Sequence, residues 1–152
     1  MAIEIISVGK QHDAALKDAI GRYERRLQKP FVCHWTLLPP SPRQATAACK
    51  EESERILSRI RPDTFVVLLD ERGENITSPA LAAKLNSAMQ QRKDVVCVIG
   101  GAYGVSQAVV ARANFVWSLS RLVFPHQIVR LLLVEQLYRA QCISRGHSYH
   151  HE

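Results

Sequence analysis

Short apolar runs alternate with stretches of helical periodicity along nearly the whole chain, and this alternation leaves room for one broad architecture. It is the α/β class, a mainly parallel sheet with helices on both faces, because each parallel strand must return through a crossover that covers the sheet. Ile3 to Val8, Phe31 to Leu38, Phe65 to Leu69, Val95 to Ile99 and Phe115 to Leu119 read as strands. Phe65 to Leu69 holds no polar residue, which suits a central strand buried on both sides. Leu16, Ile20, Tyr23 and Leu27 recur at helical spacing, and Arg43 to Ile60 reads as a second helix after the Pro39, Pro40, Ser41, Pro42 turn. A third helix is expected with Ser78 as N-cap and Pro79 at its first position, turning Leu81, Leu85 and Met89 inward and ending near Gln91. Ser106 caps a short fourth helix.

The last helix, from Pro125 to about Ser144, is apolar on nearly every side, through Ile128, Val129, Leu131, Leu132, Leu133, Val134, Leu137 and Tyr138. A surface helix would keep a polar face, so this one is expected to be central or to pack against a second copy, and a dimer interface is the preferred explanation. With 152 residues, 47% of them hydrophobic, the chain can bury one sizeable core, and residues 1–152 are expected to form a single domain. The opening segment has no basic start with a long apolar core, and no apolar stretch is long enough to cross a bilayer, so a soluble, cytoplasmic protein is expected. Cys33, Cys49, Cys97 and Cys142 form no Cys-x-x-Cys pair, which leaves reduced, mostly buried thiols. The net charge of +6 favours a polyanionic partner, since lysine and arginine displace counterions from phosphates.

Three loops follow strands at the ends where α/β sheets bind ligands. Gly100, Gly101, Ala102, Tyr103 and Gly104 permit close backbone approach, but Ile99 stands where a dinucleotide fingerprint needs glycine, and no Lys-Ser or Lys-Thr pair makes a P-loop. Leu69 to Gly73 is the second loop, with a possible Glu71 to Arg72 charge pair of little energetic value. The third runs from Ser118 to His126, and together the three could wrap a flat adenine. The tail carries His147, His150 and His151 with only Glu152 as an acidic partner. It cannot easily close a tetrahedral metal site, so no metal is expected, and its basic and aromatic residues suit RNA better.

Taken in order, Leu-Asp-Glu-Arg-Gly (69–73), Val-Ile-Gly-Gly-Ala-Tyr-Gly (98–104), Trp-Ser-Leu-Ser (117–120), Pro-His-Gln-Ile-Val-Arg (125–130), Glu-Gln-Leu-Tyr-Arg-Ala (135–140) and His-Ser-Tyr-His-His-Glu (147–152) resemble one family. It is the ribosomal large-subunit methyltransferases that modify N3 of a pseudouridine in 23S rRNA, within the SPOUT class. The likeness extends to Val8-Gly9-Lys10; Ser148 departs from it where proline is common. The resemblance implies an S-adenosyl-L-methionine-dependent enzyme, a C-terminal deep trefoil knot (the α/β-knot fold), a homodimer, and 23S rRNA, within the ribosome or its large subunit, as the partner. Carried over by position, it implies that Leu69, Gly101, Ser120, Arg121, Leu122, Val123, Phe124 and Pro125 bind the cofactor, largely through backbone groups.

Methyl transfer from a sulfonium needs mainly alignment, but pseudouridine N3 bears a proton, so a base or a favourable electrostatic setting is required. By residue type and family position, His150 is expected to take that proton, Arg139 to stabilise the developing anion, and Tyr149 to stack on or hydrogen-bond the base. Arg22, Arg25 and Arg26 are candidates for RNA contact or for an ordinary solvated helix face. Two other readings remain open at this level. One is a non-catalytic RNA-binding ribosome assembly factor of the same fold, and the other a nucleotide-binding regulator of flavodoxin-like topology.

Overall fold

The computed structural model describes residues 2–151; Glu152, the last residue of the tail motif, lies outside the described residues. Five strands form one sheet: β1 (Ile3–Val8), β2 (Cys33–Leu38), β3 (Phe65–Glu74), β4 (Val95–Ile99) and β5 (Phe115–Trp117). The helices are α1 (Ala14–Glu24), α2 (Ala45–Arg59), α3 (Ser78–Gln90), α4 (Gln107–Arg112) and α5 (His126–Ser144). Every strand pair is parallel, and the order is β2-β1-β4-β3-β5. A flavodoxin-like sheet runs 2-1-3-4-5, so that alternative is set aside.

Strand alternation sorts the core into two layers. Ile3, Ile5, Val67, Val95, Cys97 and Ile99 face α1, α3 and α5, where Ile20, Leu85 and Leu133 meet them. Their neighbours Ile6, Val8, Val66, Leu68, Val96 and Val98 face α2 and α4, against Ile56 and Val109. Moves along the sheet in one direction use α1 and α3, and moves in the other use α2 and α4 on the opposite face. Every crossover therefore has the same hand, as right-twisted parallel strands require.

β1 and β4 have the bounds their patterns predict. β2 starts at Cys33, and β5 ends at Trp117, where Ser118 N–H turns to donate to Glu74 O. β3 is longer than its apolar core: it continues to Glu74, with a register irregularity between Leu69 and Glu74 that still pairs Glu74 with Trp117. The N-cap of α3 is Thr77, not Ser78, because the Thr77 side chain accepts from Ala80 N–H, leaving Ser78 Oγ to donate to Gln136 across to α5. Ser106 caps α4 by backbone position without a side-chain bond, its own N–H donating to Ser53 Oγ of α2. Among the described residues no helix is long and apolar enough to cross a membrane.

α5 is the element that positions the site. From edge strand β5 the chain returns across the carboxyl ends of β3 and β4, and α5 then packs against α1, α3 and β4. Its buried side is not wholly apolar: Arg130 and Gln141 are buried beside Leu133, Val134 and Leu137. Gln141 accepts from Gln28 N–H and donates to Arg26 O, closing the end of α1 onto α5. Arg130 is fully buried and donates to Ser7 Oγ (3.1 Å) and Lys10 O (2.8 Å), with His12 Nδ1 at 3.2 Å. It ties the Val8-Gly9-Lys10 end of β1 to α5.

Candidate active site

The carboxyl ends of β3, β4 and β5 surround a half-open cavity of about 510 Å³, within the range of small-molecule clefts. The sheet places it there because β4, between β1 and β3, ends at Ile99 and hands over to the glycine loop. Gly100 and Gly101 are buried against the protein. A Cβ on Gly100 would lie 2.8 Å from Val105 Cγ1, and one on Gly101 2.5 Å from Glu52 Oε1. A side chain at either position would require Val105 or Glu52 to shift, so at Gly100 and Gly101 the loop presents peptide backbone to the cavity. Gly104 N–H donates to Gly101 O at 3.0 Å and closes the turn.

The third loop holds itself. Ser118 Oγ donates to Ser120 O, Leu122 N–H donates to Ser120 Oγ, and Asn75 Nδ2 donates to Ser118 O. Leu122 and Val123 stand 70% and 75% exposed at the rim, an unusual placement for aliphatic side chains and one that suits an apolar ligand edge or a partner. Of the residues expected to bind a cofactor, Leu69, Gly101, Ser120, Leu122, Val123 and Phe124 line this cavity; Arg121 and Pro125 belong to the same segment without lining it. Asp70, Tyr103 and His126, which lie in the three expected loops without having been assigned to the cofactor, also line it, as do Trp117 from β5 and Val129 from α5.

The charges at the rim are arranged differently from the sequence expectation. Arg72 pairs with Asp70 through Nε and Nη2 at 2.9 and 2.8 Å, rather than with Glu71, and this guanidinium holds the Asp70 carboxyl below its usual range. His126, at the start of α5, is held below the ordinary imidazole value by loss of solvation first and Arg130 second, while Glu52 and Glu71 pull the other way. The cavity has features that suit an adenosyl cofactor: apolar side chains for a flat base, and peptide backbone at Gly100 and Gly101 on its wall.

The candidate catalytic residues form a separate cluster on α5 and the tail. Glu135 Oε1 accepts from Arg139 Nε (3.0 Å) and Nη2 (2.6 Å) and from Tyr149 Oη (3.2 Å). Arg139 Nη1 lies 3.2 Å from His150 Nδ1, and its guanidinium stacks over the Tyr149 ring at 4.8 Å. The Glu135 bond raises the Arg139 pKa, and burial first raises that of Tyr149. His150 Nε2 is buried with no partner among the described residues. Glu135 was outside the sequence expectation, though its i,i+4 spacing from Arg139 was a usable signal.

The two groups do not meet within one chain. His126 lines the cavity and Arg139 lies thirteen residues along the same helix, which at 1.5 Å per residue is about 20 Å. Arg22, Arg25 and Arg26 are all exposed, and Arg26, Arg145, His147 and Tyr138 line a second, shallower groove beside the tail cluster. The four cysteines are free; burial pushes the Cys33 and Cys97 thiols up to about 12, which makes both poor nucleophiles.

A parallel sheet in this order with a ligand-sized cavity at its carboxyl ends defines an α/β protein built to take a small molecule between its strand-end loops. A family model described as "Predicted SPOUT methyltransferase" matches residues 1–150. "Ribosomal RNA large subunit methyltransferase H" of Desulfitobacterium hafniense (strain DSM 10664 / DCB-2) is 39% identical, covering 99% of each chain, and the protein of the same name from Thioalkalivibrio sulfidiphilus is 39% identical over 100% of each. The chain belongs to the SPOUT methyltransferase family. A solved structure described as "a probable methylase family protein from Haemophilus influenzae Rd KW20" shares the fold, with a TM-score of 0.57 at 13% identity over 99% of this chain and 70% of that one.

Proposed function

We propose that this chain transfers a methyl group from S-adenosyl-L-methionine to N3 of a pseudouridine in 23S ribosomal RNA, acting in the cytoplasm as a homodimer. The observation that carries this reading is the glycine-walled cavity at the strand ends, in a chain aligned end to end with relatives named as large-subunit rRNA methyltransferases. The return of the chain from β5 across β3 and β4 is the segment that would be threaded as the deep trefoil knot.

When bound, the cofactor supplies a methyl group already activated by its sulfonium. The protein's part is to hold that group, align the nucleobase and stabilise negative charge. In this reading the Gly100 to Gly104 and Ser118 to Pro125 loops grip the cofactor by backbone, Leu69 packs on its base, and the partner copy brings the tail cluster over the cavity. The 20 Å separation favours this shared arrangement, because neither half can act on the same nucleobase without a second chain. The half-buried Ile128 and Leu132 share a face of α5 with Glu135 and Arg139, at i, i+4, i+7 and i+11, and that face is the proposed contact.

The geometry favours His150 as a donor rather than as the base expected from its type. Its Nδ1 faces Arg139, which can only donate, so the neutral ring carries its proton on Nε2, and that N–H is unpartnered. With the N3 proton lost to water, Arg139 and, once its buried Nε2–H is uncovered, His150 would stabilise the negative charge on the base, leaving N3 free to accept the methyl group that the bound donor would supply. Tyr149 stacks or hydrogen-bonds at the base edge. The groove at Arg26, Arg145 and His147 continues this surface and suits RNA phosphates.

The test is incubation of the protein with labelled S-adenosyl-L-methionine and ribosomes, followed by mapping of the labelled nucleotide. Label on a pseudouridine of the large-subunit RNA is expected. Saturable RNA binding with no cofactor binding and no label would favour the assembly-factor reading instead.

A further inference from the structure

Behind the glycine loop lies a carboxylate that the proposed reaction does not use. Glu52, on α2, is only 4% exposed, and no basic side chain pairs with it among the described residues. Its Oε2 accepts one hydrogen bond, from Ser41 N–H at 2.9 Å, and its Oε1 is buried with no donor at all. That bare oxygen is pressed against Gly101, at 2.5 Å from the place a Cβ would occupy.

A buried carboxylate is costly unless a positive charge or several donors compensate it. One amide is poor compensation. The other acids at the cavity are differently placed: Asp70 is neutralised by Arg72, and Glu71 is exposed to solvent, where its field is screened. Glu52 acts through low-dielectric protein, with the Gly101 backbone between its carboxylate and the cavity, and it is one of two carboxylates, with Glu71, that oppose the downward shift of His126 on the cavity wall.

We propose that Glu52 is the charge-selecting residue of the cavity, its carboxylate behind Gly101 favouring an occupant with net positive charge. This rests on the methyl-donor reading and deepens it. S-adenosyl-L-methionine carries one more positive charge than the thioether, S-adenosylhomocysteine, that remains after transfer. Glu52 therefore strengthens the hold on the charged donor and loosens the hold on the spent one, and turnover gains from the difference. It touches neither cofactor nor substrate; it is a specificity residue acting through the loop.

The experiment is calorimetry of wild type and Glu52→Gln with three probes: S-adenosyl-L-methionine, S-adenosylhomocysteine, and sinefungin, which replaces the sulfonium by a cationic amine. Glutamine keeps the volume and an oxygen to accept from Ser41, and removes only the charge. The two cationic probes should weaken about tenfold and the neutral one less than about twofold. Equal weakening of all three would mean that Glu52 merely shapes the loop, and no change would mean that its charge is silent; either overturns the proposal. Should the variant not fold, wild type decides: both cationic probes must bind more tightly than the neutral one, and the reverse order refutes the assignment. Wild type that binds none of the three overturns the methyl-donor reading itself, and the proposal with it.

Discussion

Replacing Gly101 by alanine adds one methyl group at the tightest point of the cavity wall. The new carbon would sit 2.5 Å from Glu52 Oε1 and 3.1 Å from Val8 Cγ1. Carbon–oxygen contacts normally begin near 3.3 Å, so the oxygen must yield by about 0.8 Å. It has little freedom to do so, because Glu52 is buried and its other oxygen is held by Ser41. Overpacking of this kind costs about 1–3 kcal/mol, which for a chain of this size lowers Tm by about 2–12 °C. The displaced loop should also weaken donor binding, read by calorimetry. A double-mutant cycle isolates the cause: in a Glu52→Ala background the cost of Gly101→Ala should shrink by about 1 kcal/mol or more. Gly104→Ala is the control, since φ is +75° there and nothing lies within 4 Å, so its cost is backbone strain and should be the same in both backgrounds. Equal costs of Gly101→Ala with and without Glu52 would refute the packing argument.

Other expectations follow from the same contacts. Arg130→Ala should cost about 3 kcal/mol or more, seen as a lower denaturant midpoint, because it opens a cavity and strips donors from buried Ser7 Oγ and Lys10 O. His12 is held below its ordinary value of 6.5 by burial first and Arg130 second, so the folded chain binds fewer protons than the unfolded chain just below that pH. Its contribution is present above pH 6.5 and is lost as the pH falls from there toward the lowered folded-state value; His12→Asn, which still offers Arg130 an oxygen, should flatten the Tm profile between pH 7.5 and 5.5. Glu135→Gln should loosen Arg139 and Tyr149 and lower methyl transfer about 10²-fold, read as kcat at saturating donor. An unchanged kcat would contradict the positioning role given to Glu135.

Much of this molecule is written in local pattern. The apolar runs at Ile3–Val8 and Val95–Ile99 gave their strands to the residue, and the three strand-end loops could be picked out before any geometry was known. What stayed hidden depends on distant packing. Glu52 stands in a run of charged helix residues and looks solvated; only the arrival of Gly101 and Ser41 from other segments buries it. Arg130 likewise looks like a surface arginine until β1 and the loop after it deliver Ser7, Lys10 and His12 around it. The extension of β3 to Glu74 defeated a hydrophobicity reading because its last residues pair by backbone while their side chains are polar. The separation of the tail from the cavity is a length along α5, contained in the helix the pattern predicts but announced by no motif.

The account turns on a methyl-transfer site built from two chains, and subunit complementation tests it most directly. One variant carries a bulky residue at Gly101 and an intact tail; the other carries Arg139→Ala and His150→Ala with an intact cavity. Each alone should be inactive. After unfolding and refolding together, half the dimers are mixed and each has one complete site, so labelled methyl in large-subunit rRNA should return to about a quarter of the wild-type level. Activity that stays absent in the mixture, with mixed dimers shown to form, would contradict the shared site.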